Sequence, residues 1–89
     1  MMKLSVELSM YPLDRDYLIP IRAFIERLNT YDDLQVTTGA MSTLVTGEYE
    51  RVFDVLRVEM RRAHQEHGLA VFVAKCIPGY TAGEDDAGA

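Results

Sequence analysis

From Lys3 to Tyr11 the chain reads Lys-Leu-Ser-Val-Glu-Leu-Ser-Met-Tyr. Leu4, Val6, Leu8 and Met10 fall on one side of an extended backbone, and Ser5, Glu7, Ser9 and Tyr11 on the other. Period-two alternation of this strictness commits the segment to a strand with one dry face. The rest of the chain must therefore supply a layer that covers that face. Pro12 and Asp14 end the strand. The same alternation lacks the apolar block of a secretion signal.

The next segments supply the cover. Tyr17 to Leu28 carries apolar residues at 17, 21, 24, 25 and 28, with Arg22, Glu26 and Arg27 outward, which is helical spacing. Asp14 and Asp16 suit its N-terminus by capping and by the helix dipole. Pro20 fits only in the first turn, so the helix is expected to begin nearer Ile19. Leu34–Thr38 and Met41–Thr46 are β-branched-rich runs around Gly39-Ala40, predicting a hairpin whose Gly can take a positive φ. Gly47 is expected to open a second helix with Glu50 in the capping-box position. Val52, Phe53, Leu56, Met60 and Ala63 form its stripe, and Gly68 stops it. Leu69–Ile77 is a final strand, apolar at almost every position.

The order β-α-β-β-α-β is the split βαβ, or ferredoxin-like, α+β arrangement. Right-handed crossovers make the first two strands parallel, insert the third antiparallel between them, and place both helices on one sheet face. Residues 1–80 are expected to form this single domain. Residues 81–89, small and acidic, are expected to be a disordered tail. Leu4, Val6, Leu8, Ile21, Phe24, Leu28, Leu56 and Met60 are the expected core.

At 89 residues the core is thin, because a chain of this size buries only ~60–65% of its unfolded surface. The last strand is apolar on both sides, so one set of its side chains faces away from the helices. That predicts a homo-oligomer, a dimer or higher, through the open sheet face. The balance of 9 Lys+Arg against 14 Asp+Glu gives a net charge of −5, which argues against a nucleic-acid partner. Arg61-Arg62 is too short to be a basic patch and reads as solvated helix surface. No stretch reaches the ~18 apolar residues of a membrane span, and a cytoplasmic location is expected. The single Cys76 excludes an internal disulfide and reads as a small buried hydrophobe.

The topology gathers polar groups at one end. The first strand finishes where the hairpin turns, so Ser9 and Tyr11 are expected near Thr37, Thr38, Met41, Ser42 and Thr43, with Glu7 close by. Hydroxyls, a carboxylate, an aromatic ring and a thioether suit a small, flat, polar heterocycle: apolar surface for its faces, polar groups for its edges. Ordinary strand and turn composition would look the same. Catalytic motifs are missing: there is no G-x-G-x-x-G, P-loop, CxxC or HExxH. No base is placed beside Ser9, Ser42 or Thr43 to activate a hydroxyl nucleophile. His64 and His67 lie three apart, but no third ligand is evident near them, and helix C-terminal histidines suit the dipole. Asp14/Asp16, Asp32/Asp33 and Glu48/Glu50 read as cap and turn residues. Neither a cofactor nor a metal is expected.

Two segments carry more than generic pattern. Leu4-Ser5-Val6-Glu7-Leu8-Ser9-Met10-Tyr11-Pro12-Leu13 and Met41-Ser42-Thr43-Leu44-Val45-Thr46-Gly47-Glu48-Tyr49 resemble motifs of the YkoF-like family of thiamine/hydroxymethylpyrimidine-binding domains. The resemblance spans roughly residues 3–78. It implies a ferredoxin-like domain that binds thiamine or its hydroxymethylpyrimidine moiety without transforming it, in connection with uptake or salvage of thiamine precursors. It also implies that paired subunits stand in for the second domain of two-domain members. Ser9, Tyr11, Met41, Ser42 and Thr43 match the motifs, and Glu7 and Thr38 join them as candidate ligand-binding residues. The sequence departs from the family's pattern at Leu44 and Thr46, where a polar and a bulkier residue respectively are expected. A regulatory or interaction module sensing another small ligand, and a small dimeric enzyme of the same fold, are the competing readings.

Overall fold

In the computed structural model, which describes residues 1–81, the chain runs β1 (Lys3–Pro12), α1 (Leu18–Leu28), β2 (Gln35–Thr38), β3 (Thr43–Glu48), α2 (Tyr49–His67) and β4 (Ala70–Pro78). The strands form one antiparallel sheet in the order β2-β3-β1-β4, with both helices packed on one face. This is the ferredoxin-like α+β fold. The tail expected over 81–89 lies, apart from Thr81, outside the described residues.

The alternation in β1 sets the core. Leu4, Val6 and Leu8 are buried beneath Phe24 and Leu28 of α1 and Val52, Val55 and Leu56 of α2, joined by Leu34 and Val45. Of the expected core residues, Ile21 and Met60 are only half-buried. Phe53, expected in the stripe of α2, is 42% exposed, and Val55 takes its place.

Helix boundaries differ from expectation for local reasons. Pro20 is the third residue of α1, where its missing N–H would have no helical acceptor. Asp14 and Asp16 do not cap α1. Its N-cap is Tyr17 without a side-chain bond, and Asp14 Oδ1 instead accepts from the Asp16 amide in the preceding turn. At α2 the N-cap is Glu48, whose carboxylate accepts from the Glu50 and Arg51 amides. Gly47 belongs to β3, two strand residues further than expected. A Cβ there would meet Leu34 Cδ2 at 2.5 Å, so the glycine leaves room for Leu34 to pack over the strand as it does. Gly68 ends α2 at φ 89°.

One buried polar group went unread in the sequence. Glu59 of α2 is 1% exposed, and its carboxylate accepts from Arg27 Nε and Nη2, Arg62 Nε and the Tyr31 hydroxyl. Burial alone would push this carboxyl up. The hydrogen bonds from Tyr31 and Arg27, with the charges of Arg27 and Arg62, outweigh it and hold the group below the ordinary glutamate range. Arg27, read as outward-facing, thus fastens α1 to α2, while Arg62, also read as surface, holds the same carboxylate from within α2.

Cys76 is exposed, against expectation. Register places it opposite Val6 on the helix side, but β4 is the sheet edge and α2 does not reach over it. Val71, Val73 and Ile77 face away from the helices at 49%, 46% and 54% exposure.

Candidate functional site

The register explains which predicted residues meet. β1 pairs with β3 from Lys3–Glu48 to Leu8–Thr43, and β1 beyond Leu8 pairs with β4 alone. The β2–β3 connection, residues 39–42, therefore folds beside Ser9 and Met10. Tyr11 lies three residues past the last β1–β3 pair, about 10 Å at strand rise. It is 56% exposed, sits opposite Val71, and does not join the hairpin as expected.

The connection is a loop of four residues closed by the Gly39 amide donating to the Ser42 carbonyl at 2.9 Å. Gly39 does not use the positive φ open to it, and a Cβ on it would meet nothing nearer than 3.6 Å. With four residues to turn the chain, the loop has no need of the left-handed conformation that a two-residue hairpin imposes.

Between this loop, the end of β1 and α1 lies a half-open cleft of about 140 Å³. Leu8, Met10, Ile21, Phe24 and Ile25 give it apolar walls. Ser9, Thr38, Met41, Ser42 and Thr43 line the rest, so five of the seven candidate residues converge on one cavity. Sequence reasoning missed the α1 wall. Its signal was Ile21 and Ile25, four apart on the face that Phe24 also occupies. Phe24 is held by Phe72, ring centroids 5.0 Å apart at 48°, which fixes that wall.

Ser42 and Thr43 face opposite sides of the sheet. Thr43 pairs with Leu8 on the helix side and is buried, whereas Ser42 reaches Glu7 on the open side. The Ser42 hydroxyl donates to Glu7 Oε2 at 3.0 Å. A carboxylate only accepts, so this bond leaves the Ser42 oxygen free to accept from an N–H in the cleft. Glu7 does not line the cleft itself; it touches the lining through Ser42, and its other oxygen lies 3.8 Å from Lys75 Nζ in an exposed, screened pair. The Ser9 hydroxyl reaches the Met41 carbonyl at 3.5 Å, the limit of a hydrogen bond.

Elsewhere, His64 and His67 lie in the last turn of α2, and among the described residues no three His, Cys, Asp or Glu side chains converge as a metal site would require. No helix among them is long and apolar enough to cross a membrane.

Comparison with known proteins adds a lineage. No curated protein matches the chain. Among solved structures, a Thermotoga maritima protein provisionally described as a thiamine biosynthesis/salvage protein is 25% identical, with 91% of this chain and 86% of that chain covered and a TM-score of 0.72. A Streptococcus pneumoniae protein (22% identity, 96% of each chain, TM-score 0.82) and a Methanocaldococcus jannascii protein (22%, 97% and 88%, 0.76) share the fold. The sequence matches the model of the YKOF-related family over residues 3–75, and the chain belongs to that family.

Proposed function

We propose that this protein binds the hydroxymethylpyrimidine moiety of thiamine, free or within thiamine, reversibly and without turnover. The observation that carries the reading is the cleft beside residues 39–42. A cavity of ~150 Å³ holds one benzene ring, so about 140 Å³ suits a single pyrimidine and not a second ring. The thiazolium of thiamine would then lie outside the cleft. Leu8, Phe24 and Ile25 would contact the faces of the ring. The Ser42 oxygen, its proton committed to Glu7, would accept from the ring's amino group, and the hydroxyls of Thr38 and Thr43 can donate to ring nitrogens. Membership of the YKOF-related family and the likeness to the Thermotoga protein support the same ligand class.

Isothermal calorimetry with hydroxymethylpyrimidine and with thiamine tests this. Saturable binding is expected for both, with neither consumed on prolonged incubation. Ser42→Ala should weaken each by about 0.5–1.5 kcal/mol, the net worth of one hydrogen bond. No heat from either ligand between micromolar and millimolar concentration would remove the proposal in favour of an interaction module. Consumption of either ligand would make the protein an enzyme.

A further inference from the structure

The cleft beside residues 39–42 is half-open, and one side chain stands at its rim. Met41 lines the cavity yet is 89% exposed, the highest value among the described large apolar residues after the terminal Met1. The backbone that carries it is already anchored. The Gly39 amide donates to the Ser42 carbonyl at 2.9 Å, and the Ser9 hydroxyl reaches the Met41 carbonyl at 3.5 Å. Only the side chain has to move for Met41 to cover a ring held against the α1 wall. Methionine suits that movement: it is unbranched, has three rotatable bonds, and its polarisable sulfur packs favourably against aromatic rings. Exposed side chains change rotamer within ps–ns, so the motion does not limit binding.

An exposed thioether is also open to oxidation. Methionine takes up an oxygen atom to become the sulfoxide, which is polar and chiral, and methionine sulfoxide reductases reverse the change. The other methionines are worse placed. Met10 lines the same cleft but is half-buried, and so is Met60 of α2. Met1 and Met2 are exposed but lie at the opposite end of β1, where the Tyr49 amide donates to the Met2 carbonyl. Oxidation at the cleft therefore falls first on Met41.

We propose that Met41 is a redox-sensitive clamp on this cleft: its thioether folds over the exposed face of a bound pyrimidine, and oxidation to the sulfoxide by a hydroperoxide loosens the ligand. The inference rests on the pyrimidine reading of the cleft given above. In the oxidation a sulfur lone pair attacks the hydroxyl oxygen of the peroxide. The S–O bond forms as the O–O bond breaks, and the hydroxyl proton passes to the departing oxygen, which leaves as water or an alcohol. Sulfur gives up two electrons and the peroxide takes them. The thioether offers the ring a dry, polarisable contact. The sulfoxide must either bury a strong acceptor against Leu8, Ile21, Phe24 and Ile25, which have no donor for it, or stay in water and leave the ring uncovered. Both choices weaken binding.

Calorimetry with hydroxymethylpyrimidine on the full chain, before and after mild treatment with hydrogen peroxide, reads the clamp, and peptide mass spectrometry reports which methionines carry oxygen. Oxidation of Met41 should weaken binding about tenfold, and methionine sulfoxide reductase should restore it. Met41→Leu removes the thioether and sets a baseline of its own, which peroxide should no longer move. Independently of any variant, saturating hydroxymethylpyrimidine should slow the oxidation of Met41 several-fold and leave that of Met2 unaffected. No heat from the untreated chain would remove the pyrimidine reading and the clamp with it. Equal affinity before and after full oxidation of Met41, a Met41→Leu protein that peroxide still weakens, or a Met41 oxidised as fast with ligand as without would overturn the clamp alone.

Discussion

Replacing Glu59 by Gln should destabilise the fold by an amount the geometry bounds. Each carboxylate oxygen takes two donors: Oε1 from Arg27 Nε at 3.3 Å and Arg62 Nε at 3.1 Å, Oε2 from Arg27 Nη2 at 3.3 Å and the Tyr31 hydroxyl. Glutamine keeps the shape but turns one oxygen into an NH₂ that faces donors, and it removes the charge. Stripping one member from a fully buried pair costs ~3–5 kcal/mol. Here the arginine side chains remain 42% and 40% exposed and can turn to water, so the loss is smaller. The remaining term, charge-assisted bonds to a buried carboxylate, is about 1–2 kcal/mol. At ~4–8 °C per kcal/mol for a domain of this size, the melting temperature should fall about 10 °C.

The pH dependence sharpens this. The folded-state pKa of Glu59 lies below its unfolded value. Its contribution is therefore fully present above the ordinary glutamate value and fades as the pH falls through the lower folded-state value. Urea melts followed by circular dichroism should show native and Glu59→Gln proteins far apart at neutral pH and converging in acid. Equal midpoints at pH 7, or a gap that persists undiminished in acid, would refute the assignment of Glu59 as an ionised clamp.

Three further outcomes follow from the geometry. Gly47→Ala must displace Leu34 and press Val52, whose Cγ2 would lie 3.2 Å from the new Cβ, and should cost about 1–3 kcal/mol by chemical denaturation. Gly68→Ala, at φ 89°, should cost about 1 kcal/mol in the same assay, whereas Gly39→Ala, with neither a positive φ nor a close neighbour, should be neutral or slightly stabilising. Glu7→Gln removes a negative charge beside the cleft mouth, so calorimetry should show thiamine, with its cationic ring outside, losing more affinity than neutral hydroxymethylpyrimidine.

The element order and the dry face of β1 were legible because a strand's period of two leaves no ambiguity over so long a run. The hairpin end was legible too, since antiparallel order alone brings Ser9 near Met41 and Ser42. What escaped depended on where elements stop. Tyr11 looked like a neighbour of the hairpin, but β3 ends its pairing at Leu8. Cys76 looked buried because its run is apolar, yet the helices cover only the Phe72 end of the edge strand and leave Cys76 exposed. Glu59 gave no sign of burial, since a glutamate among arginines on a helix is the ordinary pattern of a wet surface. Only the crossing of α1 over α2 brings Arg27 and Tyr31 to it. The α1 wall of the cleft was hidden for the same reason: a half-buried isoleucine reads as core until the loop opposite it is placed.

The central claim is that one small cleft receives a pyrimidine ring. A two-dimensional ¹H–¹⁵N titration of the native chain with hydroxymethylpyrimidine tests it most directly. Saturable shifts should concentrate on the amides of Leu8–Met10, Ile21–Ile25 and Thr38–Thr43, the three segments that line the cavity. An unchanged spectrum at millimolar ligand, or shifts confined to β4 and α2, would contradict the account.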